Sequence, residues 1–182
     1  ASMPSVTTGH LQTGLPTLGA MPTKDGRMKA REWLFYTEDL TLATLGESIP
    51  RPQRRVMWTV LQFYWDTPAA HFELQPQPSR SLIEVGLHFE GRAEQNEAWA
   101  ARITPHTAEI QSALGGAWEL EEWTASWRRL HRVYHFDHLT GALGREVAAE
   151  WAKAISLLWP FAQAGMESPS PNLPRLMAAA SR

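Results

Sequence analysis

Four histidines and three glutamates stand at spacings that a β-sheet would gather onto one surface. His71 and Glu73 are two residues apart, as are His88 and Glu90, Glu84 precedes His88 by four, and His131 and His135 repeat the even spacing later in the chain. In an extended strand, residues two apart leave on the same side. Two or three imidazoles with a carboxylate would then suit zinc or a similar divalent ion. The metal set read from this pattern is His71, His88, His131 and His135 with Glu73 and Glu84. The plainer expectation is a solvated row, because antiparallel sheets commonly turn one polar face to water.

Other chemistry is thinner. In His135-Phe136-Asp137-His138, Asp137 could orient an imidazole for general-base work. The chain has no cysteine and no Gly-x-Ser-x-Gly turn, so a hydrolase triad has no obvious nucleophile, and Asp137 reads better as a turn or capping residue. The lack of cysteine also excludes disulfides, thiolate metal sites and iron–sulfur clusters. No phosphate loop, dinucleotide fingerprint, His-Glu-x-x-His or calcium loop is present.

Arginines form two groups: Arg51, Arg54 and Arg55, and Arg128, Arg129 and Arg132 beside Trp123 and Trp127. Arginine interleaved with aromatic rings can hold phosphate while a base stacks, which makes the second group a candidate anion site. A net charge of -2 opposes nucleic-acid binding. Glu119, Glu121 and Glu122 lie close enough in sequence to predict cross-strand ion pairs with those arginines instead.

The elements that must position these residues follow from periodicity. With 182 residues, 43% hydrophobic and 20% charged, the chain is globular and not disordered. It is expected to hold a single domain over residues 28–164 between tails at 1–27 and 165–182, the tails marked by Gly, Pro, Ser and Thr. The spacing of Trp33, Tyr36 and Leu40 predicts a helix within residues 28–46. A second helix is expected from Pro52 to about Asp66, apolar nearly all round through Val56, Met57, Val60, Leu61, Phe63 and Trp65. After Pro68 the period becomes two. Phe72 and Leu74 alternate with polar neighbours, and so do Ile83, Val85, Leu87 and Phe89, giving an antiparallel hairpin turning near Pro78 and Ser79.

A helix broken near Thr104-Pro105 should then run from Ala93 to Leu114, with Gly115-Gly116 as its stop. Strands follow over residues 118–123 and 128–136. A last helix from Thr140 to Ala162 carries Leu143, Val147, Trp151, Ile155 and Leu158 on one stripe. The order ααββαββα predicts an α+β fold, an antiparallel sheet of about four strands with helices packed on one face.

The run Ile83-Glu84-Val85-Gly86-Leu87-His88-Phe89-Glu90, followed by Asn96 in a helix, the Trp123 to Trp127 segment, a strand and a long terminal helix, resembles a group of uncharacterised bacterial α+β proteins. The likeness covers roughly residues 70–162 in outline. It implies a strand over residues 128–136 and brings no activity or catalytic residue with it.

Three functional readings follow. The first is a non-catalytic binding or protein-interaction module without a cofactor, homo-oligomeric through Trp58 and Trp65 on the all-round apolar helix, two of nine tryptophans in the chain. The second is a metal-dependent enzyme using the His/Glu face on a small or phosphorylated substrate. The third is a single-stranded nucleic-acid binder. A soluble cytoplasmic protein is expected, since no apolar run is long enough to span a bilayer and no signal-like start is present.

Overall fold

The computed structural model describes residues 26–163. The expected tails fall outside them except for Gly26 and Arg27, and Arg27 bridges to Thr140. In chain order the elements are α1 (Ala30–Thr44), β1 (Gln53–Met57), β2 (Val60–Tyr64), β3 (Ala70–Gln77), β4 (Leu82–Phe89), α2 (Ala93–Ile103), α3 (Thr107–Leu114), β5 (Glu119–Glu122), β6 (Arg128–His135) and α4 (Gly141–Gln163). The fold is α+β, as expected. Its single sheet has six antiparallel strands ordered β1-β2-β3-β4-β6-β5, where about four were expected.

The two extra strands replace the helix expected over residues 52–66. Residues 53–64 double back as a hairpin, with Val56 opposite Leu61 and Arg54 opposite Phe63. The alternation was present: Leu61 and Phe63 face one way, Gln62 and Tyr64 the other. The turn was hidden because Trp58-Thr59 carries none of the Gly, Asn or Asp that usually supplies a positive φ. Trp58 itself takes φ 55°. The interface expected of that helix therefore has no helix to sit on. Trp58 stands at the hairpin tip, 89% exposed. Trp65 packs inward, edge-on to Phe72 and Trp159, and donates its indole N–H to the Pro50 carbonyl.

The central hairpin has the expected alternation of faces, and its strands pair His71 with His88, Phe72 with Leu87 and Leu74 with Val85. A 3-10 turn at Pro78–Arg80 joins the strands. On the far side of β4, β6 pairs directly with it, placing Arg129 opposite His88 and His131 opposite Gly86. The helix over residues 93–114 breaks at Thr104–His106 and stops at Gly115, which adopts φ 100°.

One face of the sheet carries the core. Phe63, Phe72, Val85, Leu87, Phe89, Leu130 and Tyr134 are buried in one cluster with Trp33 and Leu34 of α1 and Val147, Trp151, Ile155 and Leu158 of α4. Phe63 stacks on Trp151 with centroids 4.9 Å apart, and Phe89 stacks on Trp99 at 5.2 Å. Burying each such ring contributes about 2–3 kcal/mol. Gly144 lets α1 and α4 close on each other, since a Cβ there would lie 2.9 Å from the Tyr36 ring. Thr140 caps α4 by accepting from the Leu143 N–H. Among the described residues no helix is long and apolar enough to cross a membrane.

Candidate functional site

Strand parity places Gln62, His71, Glu73, Glu84, His88, Arg129 and His131 on the face away from the helices. The expected solvated row is not what forms. His71, Glu73, Glu84, His88 and His131 are all buried, His71 and His88 at 1% exposure. Two features close the face. The groups cover one another as ion pairs, and the Trp123–Trp127 turn folds over them.

That turn is held from below. The fully buried Asn96 amide donates to the carbonyls of Gly91 and Ser126, and its oxygen accepts from the Gly91 N–H. Thr124 Oγ1 accepts from the N–H groups of Ser126 and Trp127. Trp123 then lies edge-on to His88, centroids 5.6 Å apart, with the Arg129 guanidinium 5.0 Å above its ring. Trp123 remains 41% exposed, so it acts as a rim and not a plug.

The polar groups form two connected sets. In the first, Glu84 is the hub. Its Oε1 accepts from Arg129 at 2.5 Å and lies 3.3 Å from His88 Nε2 and 3.4 Å from His131 Nδ1. Arg129 and His131 also reach Glu121, at 2.5 and 3.1 Å. Gly86 makes room for this crossing: a Cβ there would fall 2.7 Å from His131 Cβ and 2.9 Å from the Leu130 carbonyl.

In the second set, His71 Nδ1–H donates to the Pro68 carbonyl at 2.8 Å. That leaves the Nε2 lone pair facing the sheet, where it accepts from the Gln62 amide at 2.9 Å. The same Gln62 nitrogen donates to Glu73 Oε2 at 3.0 Å. His88 Nδ1 lies 3.5 Å from Glu90 Oε1. One donor atom from each of His71, Glu73, His88 and Glu90 falls within 4.8 Å of all the others.

Electrostatics locks the charges. Burial pushes the Glu84 carboxyl upward, but His131, His88 and Arg129 outweigh it and hold the group well below the carboxylate range. Glu73 is also lowered, with His71, His88 and Gln62 overcoming the desolvation of burial. Burial disfavours the His88 imidazolium, yet Glu84, Glu90 and Glu73 reverse that and raise it to about 9. At neutral pH the site holds ionised carboxylates around a protonated His88.

The six residues of the expected metal set are therefore divided. His71, Glu73 and His88 share one constellation. Glu84 and His131 belong to the arginine hub, and His135 is exposed beyond the end of the cluster. Glu90 and Gln62 complete the constellation: Glu90 lies on the parity row, whereas Gln62 could not be placed while its segment was read as helical. The expected arginine group is split as well. Of the three, only Arg129 lies on the polar face. Arg128 and Arg132 alternate to the helix side, where they pair with Glu97 of α2 and Glu150 of α4. The predicted cross-strand ion pairs are present as Arg129 with Glu121 and Arg128 with Glu122. Asp137 is exposed and His138 pairs with Arg27, so no triad assembles there.

Beside the Glu84 hub the face opens into a cleft of about 410 Å³. Glu84 and Arg129 form its polar floor, Leu82, Val133 and Trp123 its apolar wall, and Gln75, Gln77 and Arg80 its rim. No family model, curated protein or solved structure matches the chain.

Proposed function

We propose that the chain is a non-catalytic binding module that takes a small organic anion into the cleft on the polar face of its sheet. The observation that carries this reading is the pairing of an arginine at the rim with an apolar wall. Arg129 is committed to Glu84 and Glu121, whereas among the described residues Arg80 at the rim has a neutral hydrogen-bond partner, Gln77. An anionic group would meet the Arg80 guanidinium, and a ring or short aliphatic body would rest on Leu82, Val133 and the Trp123 face.

Acid–base catalysis fits less well. General acids and bases work best with a pKa near the operating pH. Here the buried carboxylates are held ionised and His88 is held protonated, each displaced away from neutrality. Those shifts are the signature of a closed ion-pair network. Single-stranded nucleic acid is left with one arginine of the expected three on this face.

The test is an amide NMR titration of the intact chain with benzoate and with hexanoate. Saturable shifts in the millimolar range at Gln75, Gln77, Leu82 and Val133, lost in Arg80→Gln, support the reading. A second cleft lined by Glu38, Asp39, Arg51 and Arg54 serves as the internal control and should not respond. Shifts absent from the first cleft, or unchanged in Arg80→Gln, would overturn it.

A further inference from the structure

We infer that His71, Glu73, His88 and Glu90 form a mononuclear site for a divalent transition-metal ion of the zinc type, separate from the anion cleft and independent of whether that cleft is occupied. The geometry is close to that of a bound ion. Four ligands at about 2.0–2.2 Å around a tetrahedral centre stand about 3.4 Å from one another. The four donor atoms already lie within 4.8 Å of one another, so side-chain adjustments of about 1.4 Å close the set.

The surroundings are those of a metal site. Histidine ligands characteristically donate their second ring N–H to a carbonyl or carboxylate, which fixes the tautomer and aims the lone pair. His71 does so through Nδ1–H to the Pro68 carbonyl. The lone pairs of His71 Nε2 and Glu73 Oε2 already converge on a single electropositive point, the Gln62 amide nitrogen at 2.9 and 3.0 Å. A cation binding there would take over both lone pairs, and Gln62 would swing aside.

The distribution of fixed charge also points to a cation. Among the described residues, neither Glu73 nor Glu90 has a lysine or arginine within ion-pair distance, their ion-pair partners being His71 and His88. Glu84 and Glu121, a few ångströms away, share Arg129. The fixed positive charge is thus confined to one end of the face, while buried carboxylate remains at the other. Two imidazoles with two carboxylates favour zinc, cobalt, nickel or iron over magnesium and calcium, which prefer an all-oxygen shell.

The test is calorimetric titration of zinc into chelator-treated, tag-free full-length protein, with magnesium as comparison. One equivalent of zinc should bind saturably and magnesium should not compete. His71→Gln and Glu90→Gln should each weaken zinc at least 100-fold, while His131→Gln and His135→Ala leave it within about twofold. Glu90 is the least buried of the four, so Glu90→Gln is the variant best placed to fold as wild type, which circular dichroism checks. X-ray absorption of the zinc-loaded protein should show two imidazoles among nitrogen and oxygen ligands at about 2.0–2.2 Å. No saturable zinc uptake, uptake unchanged by Glu90→Gln in a folded variant, or uptake that follows His131 or His135 would overturn the assignment.

Discussion

The two faces of the sheet bury their side chains by opposite means. On the helix side, rings and aliphatic chains pack against α1 and α4 around the Phe63–Trp151 stack. On the other side, no helix among the described residues lies over the cluster, and carboxylates, imidazoles and one guanidinium exclude water by pairing beneath the Trp123 rim. Apolar burial is favourable on its own account. Burying charge carries a desolvation cost that mutual attraction offsets only when every partner is in place. A fold that already has one complete core gains little stability from a second face built this way, which supports the proposal that the polar face is a site.

The largest effect belongs to the helix face. Phe63→Ala removes a fully buried ring from the stack and should lower unfolding stability by about 3–5 kcal/mol in a denaturant titration. A loss below about 1 kcal/mol would show that this face is not the principal core.

Removing one partner from the polar face should come close to that figure. Glu84→Ala leaves Arg129, His88 and His131 around an empty hub, an expected loss of about 3 kcal/mol by the same titration. If the network were solvated and loosely paired, the loss would be a few tenths of a kcal/mol.

Below about pH 9 the pH dependence of stability should come chiefly from the polar face, because Tyr134 on the helix face is pushed up from 10.0 by burial and Glu150 and responds only at higher pH. The pKa of His88 is raised from 6.5 to about 9, so its contribution is fully present below pH 6.5 and is lost as pH rises through 9. Glu73 and Glu84 are lowered from 4.5, so their contribution is fully present above pH 4.5 and is lost as pH falls through their folded values. In metal-free protein, this face should be most stabilising between pH 4.5 and 6.5. Urea midpoints measured across pH should decline on the alkaline side in wild type and lose that limb in His88→Asn. An alkaline limb unchanged in the variant would assign it to other groups.

Much of this was legible in the sequence, and the failures have physical causes. Alternation on either side of Pro78 placed His71, Glu73, Glu84, His88 and Glu90 on one face, although the turn is centred one residue later than Pro78 and Ser79. The break at Thr104-Pro105 and the Thr140 cap were readable because proline and capping chemistry act locally. The β1–β2 hairpin was not, since its turn depends on Trp58 in a conformation its own side chain disfavours. Losing that hairpin also lost Gln62. Arg128, Arg129 and Arg132 were grouped by nearness in sequence although strand parity separates them. Burial of the polar face was illegible for a different reason: it depends on a turn, Trp123 to Trp127, anchored by Asn96 some 30 residues away.

The smallest effect concerns that turn at Trp58. Trp58→Gly relieves the positive φ and sacrifices little packing, so the melting temperature should rise, equivalent to about 1 kcal/mol. Sedimentation of the same variant addresses self-association. A wild-type dimer that dissociates on Trp58→Gly would restore the exposed ring to an interface role, and identical sedimentation would remove it.

The central claim is that the polar face serves binding and is not needed to hold the fold. It is tested most directly by the unfolding free energy of the combined variant Gln62→Leu, His71→Leu, Glu73→Leu, His88→Leu and Glu90→Leu, which replaces one linked set of polar groups together and leaves Glu84 with Arg129 and His131. Replacing a whole buried polar set by apolar side chains is commonly neutral or stabilising, so stability within about 1 kcal/mol of wild type, or above it, is the predicted result. A loss of about 3 kcal/mol or more would contradict the claim and make the network a structural element of the sheet.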